Sequence, residues 1–249
     1  NFTLANTSAM NISGLTKPTG GVTNFPTGFA SYTIGSSTTV RYNMAGDQVV
    51  TGGSSITYAN LQLLNNTKTV SGSPLIINGA LTLNTVVADL SGVDVTLLGS
   101  IGNTGACTLT NNQTFTLDAN NTNQTIGAGA TYNFNNLVIA QSVTPTAART
   151  KTIATNITVD GNFTATNAGG SSVLLNIIDL QTNTILDGSP SGTFTLSSNV
   201  RLNVGGATAS EFQTTLNNFT TIALDATTAN QSRVRFNNGT NATTQVIPY

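Results

Sequence analysis

The chain has 249 residues, of which only 7% are Asp, Glu, Lys or Arg; eight basic and nine acidic residues leave a net charge of −1, and His and Trp are absent. An ordinary globular domain carries roughly 25% charged residues, so here Asn, Thr, Ser and Gly must take the surface positions. No basic stripe exists to neutralise phosphates, which argues against nucleic acid as a partner. The scarcity of charge does not imply disorder, because 38% of the residues are apolar and Val, Ile and Thr recur at alternate positions, which disordered chains avoid. No apolar run approaches the roughly 20 residues a membrane-spanning helix needs; Val173-Leu174-Leu175-Asn176-Ile177-Ile178 is short and interrupted.

Residues 1–36 open with Phe2-Thr3-Leu4 and continue through Gly20-Gly21, Pro26 and Gly28, a pattern of short strands separated by turns. Val40 and Tyr42 alternate with Arg41 and Asn43, which predicts a strand with Val40 and Tyr42 on one face. From residue 40 to 84, Gly46-Asp47, Gly52-Gly53, Asn65-Asn66, Ser71-Gly72-Ser73-Pro74 and Asn78-Gly79 break further strands, since Asn and Gly tolerate the backbone of sharp corners. Residues 85–112 add Val86-Val87, Val93 to Leu97 and Cys107-Thr108-Leu109. No window has the spacing of an amphipathic helix. Cys107, the only cysteine, can form no internal disulfide and is expected to face inward as a small hydrophobe. The chain starts at Asn1 with neither Met nor a signal-peptide pattern, as expected of a mature or excised piece of something longer.

One stretch occurs twice. Tyr58-Ala59-Asn60-Leu61-Gln62-Leu63, Thr67-Lys68-Thr69-Val70 and Leu75 to Leu83 return as Phe134-Asn135-Asn136-Leu137-Val138-Ile139, Thr150-Lys151-Thr152-Ile153 and Ile157 to Ala165. The offset is 76 at Asn60 and 83 at Lys68, which places an insertion around Gln141–Ala148. A longer period links Val40-Arg41-Tyr42-Asn43 and Gln48-Val49-Val50 to Val234-Arg235-Phe236-Asn237 and Gln245-Val246-Ile247. The expected organisation is a single elongated array over 1–249, with inner repeats at about 40–84 and 115–167 and a next outer unit restarting at about 234.

Duplicated strands joined by loops of variable length predict an all-β, right-handed parallel β-helix, or β-solenoid, in which each coil buries its apolar face against neighbours. With roughly 20–30 residues per coil and about 4.8 Å per rung, the chain makes on the order of ten coils and a rod about 50 Å long. Tandem β-sandwiches are the alternative. A truncated solenoid exposes strand edges, so the expected partners are other units of the same protein, or identical chains end to end.

At these residues the sequence resembles the Asn/Thr/Gly-rich repeat regions of large surface and adhesin-like proteins exported by the type IX secretion system of gliding bacteria. Those regions look like successive "Val-x-Tyr-Asn-Gly…Gln-x-Val", "Tyr-x-Asn-Leu-x-Leu", "Thr-Lys-x-Val" and "Ile-x-Val-Asn-Gly-x-Leu-Thr" motifs. The matches are Val40 to Val50, Tyr58 to Leu63, Thr67 to Val70 and Ile76 to Leu83, with a second copy over 115–165. Met44-Ala45-Gly46 departs from the pattern, which has Gly directly after Asn. The resemblance implies secretion, a bacterial cell-surface location and a role as adhesin, filament or other structural rod, with surface polysaccharide as a further possible contact.

Without His, catalysis would fall to carboxylates, Lys, Tyr or Cys107. Asp47, Asp89, Asp94, Asp118, Asp160, Asp179, Asp187, Glu211 and Asp225 are scattered, whereas glycoside hydrolysis needs a carboxyl pair within about 5–10 Å. The expectation is therefore no enzyme, with no catalytic, cofactor or metal residues; a carbohydrate-binding or carbohydrate-active β-helix is the alternative. Asp160 before Gly161 is expected to be a turn residue and not a calcium ligand. Lys68 and Lys151, the charges shared by both inner copies, are expected to point outward into solvent, as are Arg41 and Arg235. Thr-x-Thr at 67–69, 108–110, 114–116, 150–152 and 193–195 raises an ice-binding solenoid as a second alternative, but the spacing is irregular. The sequons at Asn156 and Asn162 arise readily in an Asn/Thr-rich chain and are weak signs of glycosylation.

Overall fold

A computed structural model describes residues 1–6, 8–12, 25–26, 28–118, 122–142, 147–167, 176–181, 184, 186–205, 216, 218–225 and 231–237. The Gly20-Gly21 turn, Val173–Leu175, Glu211 and the 245–247 part of the outer repeat lie outside the described residues. Among the described residues all regular structure is β, most strands being short and alternating in burial. The chain divides into two compact units, Asn1–Thr116 with Gly129–Asn133, and Leu117–Ala128 with Phe134–Tyr249.

In the first unit one face stacks the strands Ala9–Ile12, Thr39–Tyr42, Asn60–Leu64, Leu81–Asn84 and Ile101–Thr104. A second face stacks Gln48–Thr51, Thr67–Ser71, Val87–Asp89 and the start of Cys107–Asp118. A third stacks Thr57–Tyr58, Leu75–Ile77 and Val95–Leu97, and Phe2–Leu4 pairs with Tyr32–Ile34. The ladders are parallel and in register: Val40 lies beside Leu61, Leu61 beside Leu81 and Leu81 beside Ile101. These four side chains are no more than 1% exposed. Parallel stacking at offsets of 20 or 21 residues makes this a β-solenoid and rules out the tandem sandwiches, whose sheets are antiparallel.

The second unit repeats the plan with longer coils. One face stacks Gln124–Ile126, Arg149–Ile153, Asn176–Leu180, Val200–Gly205 and Arg233–Asn237; the other stacks the part of Ala130–Ala140 from Phe134 on, Phe163–Ala165, Thr193–Leu196 and Thr221–Leu224. Ile157–Val159 pairs with Leu186–Asp187. Phe163 sits beside Phe194 in the ladder, their rings stacked at 4.9 Å and 8°, because in-register pairing puts like side chains one above the other.

The inner duplication is thus one coil plus the first strand of the next. Asn60–Leu64 starts a coil that closes on Leu81–Asn84, as Leu137–Ile139 starts one that closes on Phe163–Ala165.

At the corners the backbone of adjacent coils comes too close for side chains. A Cβ on Gly99 would run into the Gly79 carbonyl, one on Gly192 into that of Gly161, and one on Gly52 into that of Gly72. Gly102, inside a strand, would meet nothing within 4 Å. Gly99→Ala and Gly192→Ala are each expected to lower unfolding free energy by about 1–3 kcal/mol, with Gly102→Ala unchanged or slightly more stable, as read from urea titrations monitored by circular dichroism.

Candidate functional site

Most of the polar side chains singled out in the sequence are engaged at the corners between coils. Asp47 Oδ1 accepts the Thr67 N–H at 3.2 Å and Asp94 Oδ1 the Thr114 N–H at 3.2 Å, each 20 residues on. Asn60 Oδ1 takes the Ala80 N–H at 3.0 Å in the same way. In the second unit Asp118 Oδ1 accepts from Ser142 N, Asn123 Oδ1 from Thr150 N, Asn136 Oδ1 from Asn162 N and Asn162 Oδ1 from Thr193 N, all at 3.0 Å. An N–H at the end of a ladder has no strand carbonyl opposite it, and an Asx oxygen from the preceding coil supplies the acceptor. Asp and Asn do this work interchangeably.

The other acids are equally local. Asp89 Oδ1 accepts from Ser91 N in its own turn, Asp179 from the amides of Asn203 and Gln181, and Asp187 from the Asn218 amide. Asp160 is exposed in its turn, its N–H donating to the Phe134 carbonyl at 2.8 Å, and among the described residues no three His, Cys, Asp or Glu side chains converge to hold a metal ion.

The two lysines overturn the expectation of outward, solvated side chains. Lys68 is 0% and Lys151 1% exposed. Lys68 Nζ donates to the carbonyls of Asn65 at 2.6 Å, Gly46 at 3.0 Å and Met44 at 3.3 Å; Lys151 Nζ reaches the Thr122 carbonyl at 3.5 Å. Alternation explains the reversal: Lys68 lies beside the inward positions Gln48 and Ala88, and Lys151 beside Ile178. The long stem runs through the interior and the ammonium collects loop carbonyls that no ladder satisfies. Burial pulls both ammonium groups down to about 8, against the opposing pull of Asp47 at Lys68 and of Asp118 at Lys151. Buried amides do the same neutral work: Asn111 Nδ2 donates to the Leu90 and Val93 carbonyls, and Asn176 Nδ2 to those of Thr166 and Ile139.

Cys107 is buried as expected, its thiol donating to the Thr104 carbonyl at 3.3 Å. Tyr42, Tyr58 and Tyr132 are core residues at 0% exposure. Tyr58 Oη donates to the Thr51 carbonyl and sits 3.0 Å from Tyr42 Oη; burial, with Tyr42 alongside, pushes its phenol well above the ordinary range. Arg41 does point outward, with Nε donating to Gln62 Oε1 at 2.7 Å. The Thr-x-Thr pairs 67–69 and 108–110 share a face, but the intervening strand places Val87 and Asp89 between them.

Two features were not anticipated. A cleft of about 420 Å³ in the first unit is lined by Tyr32, Thr33, Ile34, Ser36, Thr57, Ala59, Asn78 and Gly79. It lies where the Phe2–Leu4/Tyr32–Ile34 sheet and the third-face sheet are not joined by a ladder. The Tyr32 ring is held by Phe2, Phe25 and Phe29 at centroid distances of 5.7–6.0 Å. The second feature is a set of arginines, Arg201, Arg233 and Arg235, on neighbouring strands. Its signal was legible as Arg233-Val234-Arg235, an i, i+2 pair that a strand must put on one face. No protein family, no curated protein and no solved structure matches the chain.

Two outcomes test the corner network. Because Lys68 and Lys151 lose their protons near pH 8 in the folded state while the unfolded chain holds them up to about 10.4, the folded state binds fewer protons between these values. Stability should therefore rise from pH 8 to pH 10, and the rise should shrink in Lys68→Met/Lys151→Met, as measured by urea midpoints across pH. Asp94→Asn should leave stability unchanged, since an amide oxygen also accepts the Thr114 N–H, whereas Asp94→Ala should cost about 1 kcal/mol in urea unfolding.

Proposed function

We propose that this chain is a non-catalytic segment of a secreted bacterial surface protein and acts mechanically, as a structural stalk, filament or adhesin rod. The observation that carries the reading is the use of Asp47, Asp94, Asp118, Lys68 and Lys151: they tie one coil's backbone to the next, where an enzyme would converge such groups on a substrate. In-register parallel ladders within each unit add to this, since pulling on such a stack loads many hydrogen bonds at once. The resemblance to type IX exported repeat regions supports the cell surface of a gliding bacterium as the location and flanking repeats or identical chains as partners.

Carbohydrate recognition without chemistry is the second reading, favoured by the Tyr32 cleft. Its lining is uncharged and combines an aromatic ring with the hydroxyls of Thr33, Ser36 and Thr57 and the amide of Asn78, which is the chemistry a neutral sugar requires. The Cα atoms of Tyr32–Ile34 and Thr57–Tyr58 come within 8 Å, too close to admit a further β-strand between them, which would need about 9.6 Å.

Single-molecule pulling on the chain is expected to show stepwise unfolding, each step releasing roughly one coil of 20–30 residues. Incubation with neutral and acidic polysaccharides is expected to release no reducing ends. Cleavage of any of them would overturn the mechanical reading, and so would one-step collapse under low load. A neutral hexaose that binds uncut, and binds less well to Asn78→Ala, would favour the second reading.

A further inference from the structure

The Arg201, Arg233 and Arg235 cluster stands apart in a chain with eight basic residues. Arg201 lies directly beside Arg233 in the parallel ladder, and Arg235 lies beside Asn203 two positions on. Directly opposed like charges on neighbouring strands are destabilising and are normally avoided. Other charges are handled differently: Arg41 bonds Gln62, and Lys68 and Lys151 turn inward to carbonyls. Arg201 Nε is buried and makes no hydrogen bond among the described residues. Burial, then Arg235, lower its affinity for the proton; Asp179 opposes this and Arg233 adds to it. That carboxylate is already shared, with Oδ1 accepting from Asn203 and Oδ2 from Gln181. The cluster therefore holds an excess of positive charge and forked donors, with one occupied carboxylate beside it.

Planar guanidinium forks favour oxyanions that accept two parallel N–H bonds. Arg201 and Arg233 stand on strands about 4.8 Å apart and Arg235 is at i+2 on the second strand, close enough for both to act on Arg201 and for the three side chains to reach one such group. A nucleic-acid backbone would need many such contacts along a stripe, and the net charge of −1 provides none. We propose that Arg201, Arg233 and Arg235 form a binding site for the carboxylate or sulfate groups of an acidic polysaccharide. The site lies on an outward face of the second unit, since these residues alternate with the buried Leu202 and Val234. It does not rest on the mechanical reading; each can fail without the other.

The test is thermal unfolding of the full chain at constant ionic strength in sodium chloride, sodium sulfate, an oligogalacturonate and a sulfated oligosaccharide. At least one of the two saccharides is expected to raise Tm saturably by about 3 °C over chloride; which one does so distinguishes carboxylate from sulfate. Arg233→Gln removes the opposed charge, so its Tm in chloride is expected to equal or exceed that of the parent, and the saccharide-dependent rise is expected to vanish. Arg201→Gln should also abolish the rise. Arg41→Gln, outside the cluster, should keep it. Inorganic sulfate excluded from the surface stabilises all variants alike and serves as the baseline. The proposal is overturned if neither saccharide raises Tm above the inorganic sulfate baseline, or if the rise persists undiminished in Arg233→Gln or Arg201→Gln.

Discussion

Within each unit, the constraint on which the rest depends is the parallel, in-register ladder between successive coils. Once Leu61 is hydrogen-bonded beside Leu81, and Leu81 beside Ile101, each residue's environment is set by its counterpart about one coil away. Apolar residues form columns that exclude water, and the rings of Phe163 and Phe194 stack because the in-register backbone sets one above the other. Glycine columns such as Gly79 and Gly99 follow from the same closeness, now at corners where the carbonyl of one coil occupies the space of the next residue's Cβ.

Ladders end at corners, and there the backbone must find other partners. The chain solves this with short polar side chains reaching from coil to coil and with longer ones reaching from inside. Asp47, Asp94 and Asn60 supply acceptors to N–H groups 20 residues away. Lys68 supplies three donors to carbonyls of two loops. The scarcity of charge then has a structural meaning: much of what little there is works on the backbone. The arginines at 201, 233 and 235 are conspicuous because they do not fit that pattern.

Alternation in Val40-Arg41-Tyr42-Asn43, the Asn and Gly corners and the Asn60/Asn136 duplication were enough to read strands, turns and a stacked all-β fold. The placement of Val40 and Tyr42 inside followed from the same period of two, and Cys107 was expected inside as a small hydrophobe. Lys68 was misread because its chemistry outweighed its position: between Thr67 and Thr69 it holds an inward site, and only a nearby set of unpaired carbonyls makes that site tolerable for an ammonium. Those carbonyls belong to Met44, Gly46 and Asn65, two loops whose approach no local pattern reveals.

The sequence by itself determined the class of fold, the inward side of strands such as the one holding Val40 and Tyr42, and the presence of a repeated coil, because these follow from local periodicity and from turn residues. Tertiary structure alone decided which residues share a column, since register depends on the lengths of the intervening loops, and the offset from one coil to the next runs from 20 to 32 residues. That is why the coil-to-coil Asx bonds, the lysine cages, the Tyr32 cleft and the opposed pair Arg201 and Arg233 emerged only when the coils were stacked.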